Sequence, residues 1–381
     1  MPSRIPFNRP FLAGRELEYI SEAARRGHLS ADGLFTRRCA QLLEQRFGIS
    51  TVLLTASGTA ALELAAMLCD LGPGDEVLMP SYTFVSTASA VVRCGARPLF
   101  VDIHPETLNL DERLLDAAAT QRTRAIFPVH YGGVACEMEP ILQWAAARRL
   151  RVVEDAAQGV DATYQGRALG SLGDLGVYSF HETKNCSCGE GGALCVNRSE
   201  LRARAEILRD KGTNRQQFFR GVVDKYTWVA LGSSFGASEI ACAFLLGQLE
   251  HLDAITRRRR ELAAWYQAAL APLEAAERLR LPRVPDGRRA NGHLFYILLR
   301  DEPQRDAVVQ HLRQHAVQAV FHYVPLHTSP MGRQLGYAPG QLPVTEALSG
   351  RLLRLPMYFE LTQADQQRVV DALEDFFRRR G

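Results

Sequence analysis

The sequence predicts an α/β fold: a mainly parallel, seven-stranded sheet between helices, followed by a smaller C-terminal α+β domain. Three observations predict it. From about residue 50, short apolar runs recur, each bounded by turn residues. Helical stretches separate most of these runs, and strands alternating with helices imply right-handed crossovers and parallel pairing. After residue 240 the pattern changes to one long helical stretch, a Pro-rich break and a mixed tail. The expected division is 1–240, a large domain with an N-terminal helical segment, and 241–381, a small domain.

In chain order, "GRELEYISEAARRG" and "FTRRCAQLLEQRFG" are amphipathic helices, each closed by Gly. Buried strands are expected at 52–55, 77–80, 98–102, 125–129, 151–155, 176–180 and 193–196, with helices at 59–69, 85–93 and 138–149 among them. A single helix is expected over 238–270, then the break "RLPRVPDG". The strand "HLFYILL", a helix near 303–315, the strand "AVFHYV" and two C-terminal helices complete the tail. The run "TRRRREL" fits a solvated helix face.

Composition narrows the function classes. Of 381 residues, 46% are apolar and 23% charged, as in ordinary globular proteins, and the net charge of +3 has no basic tail. Nothing here argues for nucleic acid as a partner. The start, "MPSRIPFNRPF", lacks the apolar core of a signal peptide, and no run is long enough for a membrane span, so a cytoplasmic protein is expected. The eight cysteines are scattered except for Cys186, Cys188 and Cys195, whose spacing is not a usual zinc pattern. Reduced thiols and no metal are expected; a redox or metal protein built on those three is the alternative.

The chemistry-bearing residues gather where strands end. "RVVEDAAQG" ends a strand on Asp155, placed either to pair with a cation beyond the strand end or to cap the next segment. Ser57, Gly58 and Thr59 lie between a strand and an apolar helix. That is an anion site made of helix N–H groups, or simply a common helix start. Neither a dinucleotide fingerprint nor a Walker loop is present. "SFHETKNCSCGEGGALCV" sets Lys184 among small residues, either as a solvated loop charge or as a nucleophile in a pocket, with Ser179 near the end of the preceding strand. His181 there is either functional or only a strand-end residue. A phosphate cradle, a carboxylate and a lysine around one set of strand ends match pyridoxal 5'-phosphate, which has a phosphate, a ring nitrogen and an aldehyde.

The segments "SGTAALELA", "MPSYTFVSTASA", "VHYGG", "EDAAQG" and "SFHETKN…GEGGA" resemble the DegT/DnrJ/EryC1/StrS sugar aminotransferases, pyridoxal-phosphate enzymes of fold type I. The likeness runs from "IPFNRP" to "FHYVPLH" and "LLRLP". It implies that Lys184 bonds the cofactor and then shuttles protons, Asp155 pairs with the ring nitrogen, and Gln158 reaches the ring hydroxyl. It also implies that Ser57, Gly58, Thr59 and Ser179 hold the phosphate and that Phe84 stacks on the ring. A lysine rather than a histidine at 184 favours amino transfer over deoxygenation. One departure stands out: where the family has G-x-N-x-R, this chain has Ser234 and Gly236, so Ser234 is expected at the phosphate of a partner subunit.

The implied substrates are L-glutamate and a dTDP-linked sugar, dTDP-4-keto-6-deoxy-D-glucose, aminated at C4. Another nucleotide-linked keto sugar (3-keto or UDP-linked) is the alternative, and a cofactor-binding regulatory protein is a second one from another class. Lys211, Arg215, Arg220 and Tyr226 are expected to hold the nucleotide, or to form a solvated loop. His322 and His327 are expected on the substrate side, or as structural histidines. The resemblance implies a homodimer with active sites between the subunits.

Overall fold

The computed structural model describes residues 3–380. Helices α1 (Glu16–Arg26) and α2 (Leu34–Phe47) come first, closed by Gly27 and Gly48 with positive φ of 71° and 64°. Then follow β1 (Thr51–Thr55), α3 (Gly58–Leu68), β2 (Glu76–Pro80), α4 (Val85–Arg93), β3 (Arg97–Val101), the short α5 (Leu115–Ala118), β4 (Thr123–Ile126), α6 (Met138–Arg148) and β5 (Arg151–Asp155). A hairpin of β6 (Thr163–Tyr164) and β7 (Arg167–Ala168) precedes β8 (Leu175–Ser179) and β9 (Gly192–Val196).

The seven expected strands form one sheet in the order β1-β9-β8-β5-β4-β2-β3. Only β9 runs against the rest, pairing antiparallel with both β1 and β8. Side chains alternate between the two cores, as strand geometry requires. Val52 and Leu54 face one cluster and Leu53 the other; Leu78 and its neighbours Val77 and Met79 divide the same way, as do Val152 and Val153. With six strands pointing one way, the carboxyl ends of β1, β2, β4, β5 and β8 open on the same edge.

Beyond β9 come α7 (Arg202–Arg209), α8 (Arg215–Phe219), α9 (Glu239–Glu250) and α10 (Leu252–Ala275), then β10 (Arg288–Arg289), β11 (Phe295–Leu298), α11 (Glu302–Gln314), α12 (Pro330–Gln334), α13 (Pro343–Arg351), β12 (Leu352–Leu355) and α14 (Gln363–Arg380). Three expectations need correction here. The single helix over 238–270 is two, broken at His251. The kink lets α9 bury nearly its whole surface against α1 and α2 while α10 turns toward another core. The expected strand "AVFHYV" keeps one bridge, Val320 to Arg354, and then leaves the sheet through a cis His322–Tyr323 peptide, with Phe321 and Val324 exposed. A missed strand, β12, pairs antiparallel with β11. The core changes along α10: Leu252 and Ile255 belong to the sheet's cluster, whereas Leu262, Tyr266 and Leu270 join β11, β12, α11 and α14. The expected division at 240 precedes this change by one helix. No helix among the described residues is long and apolar enough to cross a membrane.

Candidate active site

At the carboxyl edge of the sheet lies a cleft of about 460 Å³, the size of a small-molecule site. Ser57, Gly58, Thr59, Phe84, Asp155, Gln158, Ser179, Lys184 and His322 all line it. The chain brings these nine predicted residues together although they span 266 positions (57 to 322).

The anion end is built by the start of α3. Ser57 caps the helix, its Oγ accepting from the Ala60 N–H at 3.0 Å, and the first intrahelical bond runs from the Ala61 N–H to the Ser57 carbonyl. The N–H groups of Gly58 and Thr59 precede that bond, at the positive end of the helix. Thr59 Oγ1 lies 2.7 Å from Ser86 Oγ, which adds hydroxyls from the start of α4. Close approach fixes the glycines: a Cβ on Gly192 would sit 2.4 Å from the Ser57 carbonyl, and one on Gly58 would sit 2.9 Å from Ser179 Cβ.

Asp155 ends β5, nearly buried, and both its oxygens are held from the protein side. Thr87 Oγ1 donates to Oδ2 at 2.7 Å and the Ala157 N–H to Oδ1 at 3.2 Å. Beside it, Gln158 accepts from the Gly132 N–H at 2.7 Å and donates to the Tyr323 hydroxyl at 3.1 Å. Phe84, more than half exposed, turns its ring toward Tyr323 across a 6.2 Å centroid separation.

Lys184 sits on the loop between β8 and β9. The Lys184 N–H donates to the His181 carbonyl at 2.8 Å. The next residue anchors the loop: buried Asn185 donates to the Asn291 carbonyl at 3.1 Å and meets His293 Nδ1 at 3.0 Å. Desolvation lowers Lys184 to about 8, opposed by the Asp155 charge and helped by that of Arg354. A pH dependence follows. Unfolded, the lysine keeps its proton up to the ordinary 10.5; folded without cofactor, only up to about 8. Between those values folding releases a proton, so stability rises with pH, and below 8 the full cost of the buried charge remains. Lys184→Met is expected to melt higher than the cofactor-free wild type below pH 8, with the gap closing toward 10.5. Paired thermal melts across that range check it.

The remaining predicted residues lie outside the cleft. His327 is fully buried, with Nδ1 2.7 Å from Ser81 Oγ and Nε2 2.9 Å from Glu346 Oε1; it ties the 326–328 turn to α13 and faces no ligand space. The loop cations already have acids: Lys211 pairs with Asp210 at 2.9 Å, Arg215 with the same carboxylate at 3.9 Å, and Arg220 with Glu206 at 2.6 Å. Tyr226 is exposed and packs edge-on against Phe218. Ser234 is exposed on the segment beside the end of β1. A side chain at Gly236 would meet Ala31 Cβ at 2.7 Å. The buried Arg209 guanidinium lies next to that point, bonded to the Leu54 carbonyl at 3.0 Å and paired with Asp32. His322 does reach the cleft. Its Nδ1 lies 2.9 Å from the Tyr131 hydroxyl, and its carbonyl accepts from Tyr82, while burial pushes the ring well below the usual histidine range and keeps it neutral.

Sequence reasoning missed Thr87, Tyr323, His293, Arg259 and Arg354. Two of these are cations in different states. Arg259 gives its guanidinium to the carbonyls of Gly292 (2.9 Å), His293 (2.7 Å) and Met357 (3.3 Å), and burial lowers it to about 10. It is a structural clamp. Arg354, on β12, lines the cleft with its guanidinium 4.6 Å over the Phe7 ring, and its buried Nε has no hydrogen-bond partner. The only signal for it in the sequence was the "LLRLP" segment. Cys186 and Cys195 are buried free thiols, pushed up to about 12 and well above the ordinary value by desolvation, so neither is a ready nucleophile.

A cradle of helix N–H groups, a strand-end carboxylate and a lysine of lowered basicity around one cleft define an enzyme of the pyridoxal-phosphate-dependent aminotransferase fold. The chain belongs to the DegT/DnrJ/EryC1/StrS aminotransferase family, whose model matches residues 11–374. It is 35% identical over 375 residues to GDP-perosamine synthase of Caulobacter vibrioides, covering 97% of this chain and 98% of that one. It is 34% identical over 387 residues to the spore coat polysaccharide biosynthesis protein SpsC of Bacillus subtilis, covering 98% and 97%. Among solved structures, the aminotransferase TlmJ from Streptoalloteichus hindustanus superposes with a TM-score of 0.90 at 31% identity, covering 98% of this chain and 99% of that one. The protein is therefore a sugar aminotransferase dependent on pyridoxal phosphate.

Proposed function

We infer that the enzyme moves the amino group of L-glutamate to C4 of dTDP-4-keto-6-deoxy-D-glucose. The product is dTDP-4-amino-4,6-dideoxy-D-galactose, for enterobacterial common antigen or a related surface polysaccharide. The observation that carries amino transfer is Lys184 itself: an amine of lowered basicity facing a fixed carboxylate across a cleft with an anion cradle. When bound, pyridoxal phosphate would supply an electron sink and a temporary store for the amino group.

This chain's residues supply the rest. Gly58, Thr59 and Ser179 would hold the phosphate, Asp155 would keep the ring nitrogen protonated, Gln158 would serve the ring hydroxyl and Phe84 would pack on the ring. Lys184 Nζ, neutral above about pH 8, would take the proton from the amino-bearing carbon of L-glutamate in the first half of the reaction and deliver one to C4 of the sugar in the second. Arg354 is the cleft cation with donor capacity to spare, and a guanidinium suits a carboxylate. We assign it to L-glutamate. Arg354→Gln is expected to raise KM for glutamate by roughly 10- to 100-fold, the worth of a charge-assisted hydrogen bond, while KM for the nucleotide sugar stays put. Steady-state kinetics with each substrate varied separates the two.

The sugar assignment is supported by "HLSADGLFTRRC", "HETKN" and "KGTNRQQFFRGVVDKYTW", which resemble dTDP-4-amino-4,6-dideoxygalactose transaminase. A second reading, another nucleotide-linked keto sugar, is favoured by the likeness to GDP-perosamine synthase. The assembly is a homodimer in which Ser234 and the loop of Lys211, Arg215, Arg220 and Tyr226 serve the partner's cleft. Exposed Phe219, Trp228 and Leu231 support a second copy as the cover for that loop. The test is the product of L-glutamate and dTDP-4-keto-6-deoxy-D-glucose, its C4 configuration read by NMR. An axial 4-amino group is expected. No sugar product from a preparation that still converts glutamate to 2-oxoglutarate would discard the sugar and keep the chemistry.

A further inference from the structure

Far along the chain from the residues that carry the reaction, α11 and α14 bring together a different kind of cluster. His311 and His315 are four residues apart on α11 and so share a face, and Asp375 meets them from α14. Among the described residues these three are the one group of His, Cys, Asp or Glu side chains whose ligand atoms all lie within 4.8 Å of one another. His311 Nε2 is 3.4 Å from Asp375 Oδ2, and His315 Nε2 is 4.0 Å from the same oxygen. Donor atoms bound at roughly 2.0–2.1 Å around a tetrahedral ion are about 3.4 Å apart. One of the three donor–donor edges is formed, and a rotation of exposed His315 closes the other two, now 4.0 Å and within 4.8 Å.

The details of bonding point the same way. His315 Nδ1 lies 2.9 Å from the His311 carbonyl, an acceptor, so Nδ1 carries the hydrogen and the Nε2 lone pair is left free. An imidazole anchored by a backbone carbonyl is the usual outer support of a metal-bound histidine. His311 Nε2 and Asp375 Oδ2 are both buried, and neither makes a hydrogen bond. A buried ring nitrogen without a hydrogen-bond partner is costly, and a cation shared with the neighbouring carboxylate satisfies it. Two competitors are present: Arg379 Nε lies 2.9 Å from this same Asp375 Oδ2 and donates to Oδ1 at 3.0 Å, but its side chain is largely exposed and free to turn to water, and the Ala372 carbonyl lies against the His311 ring.

We propose that His311, His315 and Asp375 form a site for a divalent transition metal of the zinc class, with water completing the tetrahedron. The two imidazoles and single carboxylate suit zinc or cobalt and not the all-oxygen shells of calcium or magnesium. The ion pins the C-terminal helix α14 to α11 and takes no part in amino transfer.

The test uses the tag-free, cofactor-loaded enzyme, with Co²⁺ alone followed by visible absorption and Zn²⁺ alone followed by calorimetry and thermal melts. The expected result is one equivalent of Co²⁺ with a tetrahedral visible spectrum and no thiolate charge-transfer band, and a higher melting temperature with Zn²⁺. His315→Ala, which removes an exposed side chain, is expected to weaken binding at least about tenfold and abolish the melting shift. Arg379→Ala is expected to tighten binding, and amino-transfer rates stay unchanged in both variants. Absence of the tetrahedral spectrum in the wild type would overturn the proposal, as would a thiolate band or equal affinity in His315→Ala.

Discussion

Lys184→Ala is expected to slow both halves of the reaction by at least about 10⁴-fold. That is the upper end of what a positioned proton-transfer group contributes, with the covalent hold on the cofactor lost as well. The fold survives, because the loop is held without the side chain. The Glu182 N–H donates to the Gly189 carbonyl, the Cys188 N–H to that of Phe180, and Asn185 is bonded to Asn291. Single-turnover assays for 2-oxoglutarate and for sugar amine check the rate. Gel filtration after loading with pyridoxal phosphate checks the hold: the variant should lose cofactor that the wild type keeps. Wild-type rates in the variant would remove Lys184 from the chemistry.

Asp155→Asn is expected to cost roughly 10²- to 10³-fold in rate, the scale of removing one fixed electrostatic partner from a closed site. Asparagine keeps the shape and one oxygen to accept from the Ala157 N–H, while the Thr87 hydroxyl can turn to donate to Thr83 Oγ1 at 2.9 Å and accept from the amide, so the fold should hold while the charge disappears. Asp155→Ala adds a stability cost of about 1–3 kcal/mol, because it removes the acceptor of the Ala157 N–H and one of the two partners of the buried Thr87 hydroxyl, which keeps only Thr83. Thermal melts of the two variants separate charge from hydrogen bonding. If Asp155→Asn reacts at the normal rate, the carboxylate is only a cap for residues 156–158.

These two residues were legible in the sequence for a physical reason. Strand ends and helix starts are local features, and a parallel sheet collects them on one edge regardless of the distance between them in the chain. That is why Ser57, Asp155, Ser179 and Lys184 were found from motifs and meet in the structure. Arg354 and Tyr323 were not found for the opposite reason. Their place depends on β12 pairing with β11 and on the chain leaving that sheet after Val320, which are long-range events. Alternation misled at "AVFHYV", where the exposed rings of Phe321 and the buried ones of His322 mimic a strand's two faces. Periodicity equally could not show the break at His251, since the apolar pattern runs on through it, with Leu249, Leu252 and Ile255 facing the same core on both sides. His327 shows the limit of residue type alone: a histidine near the cleft in sequence became a buried tie between Ser81 and Glu346.

Lys184, in its lowered-basicity setting beside Asp155, is proposed to carry amino transfer from L-glutamate. The most direct measurement mixes the cofactor-loaded enzyme with L-glutamate alone and counts 2-oxoglutarate against active sites. One 2-oxoglutarate per site with loss of the visible cofactor band is expected, and neither change in Lys184→Ala. An unchanged band and no 2-oxoglutarate from the wild type would contradict it.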